Sequence, residues 1–392
     1  MDRKALLSLP LTLLVVGCSN PTSNSSSSKE ANVVDYSDPG DPENSYSNHL
    51  KFFDDKGVEE FVPCADPFMI NGEDGAYYAY CSNTYHNMGD LGYQLDYGPV
   101  FRSFDMVNWQ WVSSVFTGHE SFAGWNNGEG GVWAPSVVKI GDTFNFYYCL
   151  GQGGFYSNYT GIGVATSPTP YGPWTHYGKI FDSGEIGVKN SIDPFIFEEN
   201  GKVYMSFGSG DGIWIVELNA EGTALKNGLA DAVANKVMIG GYQMYEGTNY
   251  EASFIQKKNG FYYLYLSTGS CCDGLRSTYH VVVGRSESMY GPYVGEDGRA
   301  IDRSDRGKTV IESHMTKGTG TGHCAIIQDA KGLDWLVYHA YDPNEEGSRK
   351  NERVLYIDRL YWGSDGFPTC KDQVPTHETV PGPYVTHKGV SA

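Results

Sequence analysis

The sequence predicts an all-β fold, a five-bladed β-propeller, and this prediction depends on composition, a repeated hairpin and a recurring turn. Aromatic residues make up 14% of the 392 residues, and 49 residues are Gly. Aromatic side chains favour strands and Gly favours tight turns, so this composition is typical of β proteins. It excludes a coiled coil or a helical bundle, and the absence of helical periodicity excludes a helical solenoid.

A β-hairpin pattern recurs five times along the chain. Each copy has a short apolar strand, a turn that contains Gly and a second strand rich in aromatic residues. The copies align at Pro67, Pro135, Pro194, Ser253 and Ala325. A second pattern, YGPW at 171–174 and YGPY at 290–293, follows two of the hairpins and leads into a further strand. Five repeats of about four strands each predict a five-bladed propeller.

The N-terminal segment predicts export. Residues 5–16 are an apolar stretch of signal-peptide length, and residues 15–18 (VVGC) resemble a bacterial lipobox. This resemblance implies cleavage before Cys18 and a lipid on its thiol; an ordinary secretory signal or a buried N-terminal helix are the alternatives. The Ser- and Asn-rich residues that follow predict a tether. The expected organisation is a signal peptide at 1–17, a tether at 18–48 and a catalytic propeller at 49–392.

Charge and cysteine content exclude several classes of partner. The net charge of −19 argues against nucleic acid, because phosphate binding requires clustered Lys and Arg. No apolar run is long enough for a membrane-spanning helix, so we expect membrane contact only through the lipid of an outer-membrane or cell-surface lipoprotein. Seven cysteines follow Cys18 without zinc-ligand spacing, and most are expected to be small buried residues. The oxidation state of Cys271 and Cys272 stays open, and a tethered propeller needs no partner, so we expect a monomer.

The repeat places a set of functional residue types around one axis. In a propeller the first strand of each repeat lines the central channel, so residues at one register position converge there. The two positions before the aligned residue hold, in the five copies, Asp66, Trp133, Asp193, Glu251 and His323. Each alone is explained by a turn, a core contact or a solvated charge, but three converging carboxylates would repel one another unless the site uses them. Carboxylates beside an aromatic ring suit glycoside hydrolysis, with one acid ionised, one protonated and a third tuning the pKa of the second.

Several motifs resemble glycoside hydrolase family 43, and within it the endo-α-1,5-L-arabinanases. They are SIDPFIF at 191–197, YEASFIQKKNGFYYLYLS at 250–267, CCDGLRSTYHVVVGRS at 271–286 and GTGHCAIIQD at 320–329. The resemblance covers roughly residues 60–370. It implies an inverting enzyme that cleaves internal bonds of plant cell-wall arabinan or arabino-oligosaccharides.

The resemblance also implies a role for each axial residue. Asp66 would be the general base that activates water, Glu251 the general acid, and Asp193 would raise the pKa of Glu251 and orient it. Inversion requires room for a water, so we expect the carboxyls of Asp66 and Glu251 to lie roughly 6.5–9.5 Å apart. A calcium ion or another axial metal is expected near His323. The expected substrate contacts are Trp133, Asn190, Ser209 and Gly210.

Other functions stay open on the sequence alone. An exo-acting α-L-arabinofuranosidase or β-xylosidase of the same family would need a cleft closed at one end. The stretches 83–97 and 242–250 are expected to be rim loops that decide this. A non-catalytic glycan-binding lipoprotein or a structural propeller for protein partners would not require three intact acids.

Overall fold

The computed structural model describes residues 32–54, 56–87, 92–118, 131–150, 160–241, 250–303 and 306–386. The predicted signal peptide, the predicted lipid-bearing Cys18 and the tether up to residue 31 lie outside these residues. Within the described residues, none of the helices combines the length and the apolar character needed to cross a membrane. The unit Val33–Ala392 is a single compact body.

Nearly all regular structure in the described residues is β-strand. The strands are β1 Asp41–Tyr46, β2 Lys51–Phe53, β3 Glu59–Glu60, β4 Phe68–Asn71, β5 Tyr77–Tyr80, β6 Thr84–Asn87, β7 Tyr93–Ser103, β8 Asn108–Phe116, β9 Val132–Ile140, β10 Thr143–Leu150, β11 Gly161–Ser167, β12 Thr175–Asp182, β13 Phe195–Glu199, β14 Lys202–Phe207, β15 Ile213–Glu217, β16 Val237–Gly240, β17 Glu251–Lys258, β18 Phe261–Thr268, β19 His280–Ser286, β20 Lys308–Ile311, β21 Thr319–Gln328, β22 Asp334–Tyr341, β23 Arg353–Arg359, β24 Tyr361–Trp362, β25 Pro368–Thr369 and β26 Val380–Gly382. The helices are α1 Ser183–Ile186, α2 Leu229–Asn235 and the 3-10 turns Gly274–Arg276, Arg349–Asn351 and Lys371–Gln373.

The predicted hairpins form the first two strands of successive sheets. Three sheets each contain four consecutive antiparallel strands: β9–β12, β13–β16 and β17–β20. A larger sheet contains β4, β5, β7 and β8, extended by the N-terminal β2 and β3 and by β6 on β7. The inner strands β4, β9, β13, β17 and β21 contact one another in this order, and β21 returns to β4. The all-β propeller that the sequence predicts is therefore present.

The predicted count of five four-stranded blades is wrong. Among the described residues, four sheets contain the full set of four repeat strands, and the last repeat forms only the three-stranded sheet β21–β23. Its outer edge is covered instead by irregular N-terminal backbone: the Asn48 amide bonds both backbone groups of Ile357, and the Leu50 N–H donates to Leu355. The hairpin pattern reports only the first two strands of a repeat, so it overcounted complete blades.

Three phenylalanines on neighbouring inner strands pack against one another. Phe68, Phe195 and Phe254 stand at equivalent register positions of β4, β13 and β17, with the Phe195 and Phe254 ring centroids 4.3 Å apart. The Phe68 ring centroid lies 6.3 Å and 6.2 Å from these two rings. These aromatic contacts join three sheets and stabilise the ring that they form.

A pair of strands near the two ends of the described residues extends the folded unit past its predicted start. β1 pairs with β26, so ordered structure begins before the tether boundary predicted at residue 48, which is too late. Two disulfides are present among the described residues, Cys64–Cys81 and the adjacent pair Cys271–Cys272. The free cysteines Cys149, Cys324 and Cys370 are buried, as expected of small core residues.

Candidate active site

At one shared register position, each inner strand has a residue with left-handed backbone, either two residues before the strand or in its first half. These residues are Asp66, Ala134, Asp193, Ala252 and His323, with φ between 44° and 56°. Left-handed backbone is costly for residues other than Gly, and it is concentrated at functional sites. In the first, third and fifth repeats the left-handed residue carries the axial side chain; in the second and fourth the residue before it, Trp133 or Glu251, does. The alignment of the last repeat is therefore corrected from Ala325 to Cys324.

The turns bring the five predicted axial residues into one pocket of about 280 Å³, which is lined by Asp66, Trp133, Asp193, Glu251 and His323 among others. The structure thus assembles residues that are up to 257 positions apart, as the shared register predicts.

Asp66 is held as a carboxylate by a set of donors. Arg353 Nη1 donates to its Oδ1 at 2.9 Å, and Ser82 Oγ donates to its Oδ2 at 2.6 Å. The nearest His323 and His339 ring nitrogens lie 3.4 Å and 3.5 Å from Oδ1. Burial by itself would raise the pKa of Asp66, but Arg353 and the other neighbours outweigh it and hold the pKa well below its usual value. Asp66 is therefore ionised.

Asp193 and Glu251 form a coupled pair of carboxyls. Asp193 is only 7% exposed, and its Oδ2 accepts the Ala252 N–H at 3.2 Å. Burial first, and then the charges of Glu251 and Asp66, raise the pKa of Asp193 well above its usual value. Glu251 reaches the pocket, and its Oε2 accepts a hydrogen bond of 2.7 Å from Ser209 Oγ. Asp193 therefore retains a proton more readily than an isolated carboxyl would.

Three of the predicted substrate contacts lie behind the pocket. Asn190 and Ser209 are 1% and 3% exposed, and Asn190 Nδ2 donates to the Ser209 carbonyl. The Gly210 N–H donates to the Tyr250 carbonyl, directly before Glu251. These residues support the Glu251 side of the pocket, whereas Trp133 lines it.

The sequence analysis missed several residues of the pocket. Arg353 begins β23, outside the inner-strand register, so no repeat position could identify it. Tyr279 and the Cys271–Cys272 disulfide also line the pocket. The only signal for these was their place in the CCDGLRSTYH segment, since neither belongs to an inner strand.

The residues near His323 are a poor match for a calcium ion. Calcium prefers oxygen ligands, whereas His323 offers nitrogen, and the adjacent Asp66 carboxylate is already bound by Arg353 and Ser82. No group of three or more His, Cys, Asp or Glu among the described residues is arranged to hold a metal ion.

A family model described as "Glycosyl hydrolases family 43" matches residues 62–368. Two relatives share about a third of their residues with this chain. An extracellular endo-α-(1→5)-L-arabinanase of Bacillus subtilis is 33% identical over 69% of this chain and 79% of its own length. An extracellular exo-α-(1→5)-L-arabinofuranosidase of Cellvibrio japonicus is 31% identical over 73% of this chain and 84% of its own.

Solved structures of arabinanases share the fold. An α-L-arabinanase of Cellvibrio cellulosa in complex with arabinohexaose superposes with a TM-score of 0.66 at 28% identity, over 80% of this chain and 96% of that one. An arabinanase of Bacillus subtilis gives a TM-score of 0.62 at 28% identity, over 78% of this chain and 97% of that one.

Proposed function

Because the chain belongs to glycosyl hydrolases family 43, we propose that it hydrolyses internal α-1,5-L-arabinofuranosidic bonds of arabinan with inversion. The observation that carries this proposal is the ionised Asp66 in one pocket with the coupled carboxyls Asp193 and Glu251. A single-displacement glycosidase requires an ionised base and a proton donor that face the same bond.

The geometry supports a distinct role for each carboxyl. Asp66, kept ionised by Arg353, takes a proton from a water as that water attacks the anomeric carbon. Glu251 gives a proton to the leaving glycosidic oxygen. Asp193 bonds the Ala252 N–H directly after Glu251, so it orients the acid, and the two carboxyls are close enough for the charge of Glu251 to raise the pKa of Asp193. A separation of roughly 6.5–9.5 Å between the Asp66 and Glu251 carboxyls stays a prediction.

The substrate contacts and the metal are proposals of the same kind. Trp133 offers an aromatic face for a sugar ring in the pocket. Asn190, Ser209 and Gly210 act through Glu251, because their polar groups are used inside the protein. A calcium ion near His323 stays a prediction, and such an ion would need water for most of its ligands.

An exo-acting enzyme is the second candidate, since one of the two relatives above is named an exo-arabinofuranosidase. A β-xylosidase has no comparable support among these relatives. Cys272 lines both the pocket and a neighbouring groove of about 430 Å³, and this groove offers room for a substrate chain that extends beyond the site, as an endo-acting enzyme requires. The predicted rim stretch 242–250 lies outside the described residues except for Tyr250, and residues 88–91 of the other stretch also lie outside them.

We further propose that the protein is exported and anchored by a lipid on Cys18. The two relatives above are named extracellular, and disulfides persist in oxidising compartments. Radiolabelled palmitate incorporation that disappears in Cys18→Ala, with secretion retained, would support the anchor. Secretion of an unlabelled wild type would contradict it.

A time course on linear debranched α-1,5-arabinan tests the activity, with wild type beside Glu251→Gln. Mixed oligosaccharides at early times, absent in the variant, are expected of the endo enzyme. Arabinose alone from the first time point would establish the exo candidate. Turnover of xylo-oligosaccharides but not of arabinan would overturn the arabinan assignment.

A further inference from the structure

The backbone N–H of four of the five left-handed residues donates to a side chain of the preceding sheet. The Asp66 N–H donates to His339 Nδ1 at 3.0 Å. The Ala134 N–H donates to Ser82 Oγ at 2.9 Å, and the His323 N–H donates to Ser267 Oγ at 2.8 Å. In each case the acceptor belongs to the preceding sheet in the ring. These bonds therefore join neighbouring sheets at the residues that form the pocket.

The acceptors share one register position on the second strand of each sheet. The inner strands pair with the second strands at Phe68–Tyr80, Ser136–Tyr147, Phe195–Ser206, Phe254–Tyr265 and Ala325–Val337. Two residues beyond these partners stand Ser82, Cys149, Gly208, Ser267 and His339. Four of the five side chains at this position can accept a hydrogen bond, and the fifth residue has no side chain.

Cys149 occupies this position in the second sheet and has no other assigned role. Its thiol donates to the Trp133 carbonyl at 3.1 Å. Burial raises the pKa of the Cys149 thiol well above its usual value, although the nearby Asp193 N–H opposes part of this rise, so the proton needed for the bond to Trp133 is retained. The thiol therefore bonds the segment that carries Trp133 and stands beside the backbone N–H of Asp193.

The third sheet shows what happens where the side chain is missing. Gly208 cannot accept the next left-handed N–H, that of Ala252, and Asp193 Oδ2 accepts it instead. A side chain on Gly208 is excluded, because a Cβ there would lie 2.4 Å from the Gly212 carbonyl oxygen. Asp193 thus substitutes for the missing acceptor, which fixes its carboxylate beside Glu251.

We propose that Ser82, Cys149, Ser267 and His339 are positioning residues, each of which fixes the left-handed turn of the next sheet and thereby the axial side chain on it. Ser82 illustrates the linkage, since its hydroxyl accepts the Ala134 N–H and donates to Asp66. The inference rests on the proposed hydrolase function only for its kinetic readout. If these side chains merely satisfied buried polar groups, their loss would lower stability without a selective effect on turnover.

Cys149 gives the sharpest test because the chain contains a matched control. Cys149→Ala removes the hydrogen bond to Trp133 and the acceptor beside the Asp193 N–H, Cys149→Ser keeps a donor and an acceptor, and Cys370→Ala removes an equally buried free thiol outside the ring. We expect kcat on arabinan to fall at least about tenfold in Cys149→Ala, with KM little changed. Cys149→Ser should recover most of this loss, and Cys370→Ala should lower only the melting temperature.

Amide hydrogen exchange provides a readout that needs no substrate. Exchange of the peptide that contains Asp193 should accelerate in Cys149→Ala and return to the wild-type rate in Cys149→Ser. Unchanged exchange, or equal kinetic effects of Cys149→Ala and Cys370→Ala, would overturn the proposal. A wild type inactive on arabinan would instead end the substrate assignment, and the exchange comparison would still decide the role of Cys149.

Discussion

Arg353 and Asp66 form a partly buried ion pair where the last and first repeats of the ring meet, with Arg353 Nη1 at 2.9 Å from Asp66 Oδ1. The two residues are far apart in sequence, on the third strand of the last repeat and before the first inner strand. Burial alone would favour the protonated carboxylic acid, and the guanidinium reverses this preference. The ion pair therefore decides the protonation state of the proposed base.

Removal of this guanidinium should move the pH dependence of the enzyme. In Arg353→Met the guanidinium no longer offsets the effect of burial on the Asp66 carboxyl, so the pKa of Asp66 should rise. The acidic limb of the kcat/KM profile, where the base becomes protonated, should therefore move to higher pH by about 1–3 units. Arg299→Met, which removes an exposed arginine paired with Asp297, serves as control. An acidic limb that stays in place would mean that Asp66 is not the base.

Glu251→Gln should separate acid catalysis from binding. The Gln side chain can still accept the Ser209 hydrogen bond but cannot donate a catalytic proton. We expect a loss of about 10²- to 10⁴-fold on arabinan and a much smaller loss on a dinitrophenyl α-L-arabinofuranoside, whose leaving group needs no proton. Asp66→Asn should lose activity equally on both substrates, because both need the attacking water. Equal losses for Glu251→Gln would contradict the acid assignment.

Asp193→Asn should lower turnover and raise folding stability, and the gain in stability should depend on pH. The pKa of Asp193 is raised in the folded state. The contribution of its carboxyl to folding stability is therefore complete below about pH 3.9, which is its pKa in the unfolded chain, and it is lost as the pH rises toward the pKa of the folded state. Asn does not ionise, so the variant should melt higher than wild type near pH 7 and similarly near pH 4. Its turnover should be strongly reduced.

Thermal unfolding at the two pH values checks this, with Asp142→Asn in the exposed β9–β10 turn as control. A variant that is less stable than wild type at neutral pH would show that the Asp193 carboxyl does not destabilise the folded protein at that pH. Retained turnover would show that the Asp193 charge is not used in the reaction.

Local sequence repeats predicted the propeller and the axial residues because both depend on one strand and its neighbours. Asp66, Asp193 and Glu251 could be found from register alone, and so could Trp133 and His323. Arg353 could not, since the third strand carries no repeated motif. The missing fourth strand of the last sheet was equally invisible, because Asn48 and Leu50 cover that edge from a segment that resembles a tether.

The Cys271–Cys272 disulfide should act on substrate affinity rather than on turnover. It lines the pocket with Trp133, and Cys272 also lines the adjoining groove together with Tyr341 and Asn351. The hydrogen bonds of Asp66, Asp193 and Glu251 involve neither Cys271 nor Cys272. The disulfide, which lies between the pocket and the groove, offers an apolar contact to the sugar unit next to the one that reacts.

Replacement of both cysteines by Ser should therefore raise KM several-fold with kcat little changed, and the effect should grow with oligosaccharide length. Mild reduction of the wild type should reproduce it, because Cys272 is exposed whereas Cys64 and Cys81 are fully buried. Peptide mapping identifies which disulfide opened. A loss confined to kcat would place the loop in catalysis instead, and an unchanged KM for all lengths would mean that the chain leaves the pocket by another path.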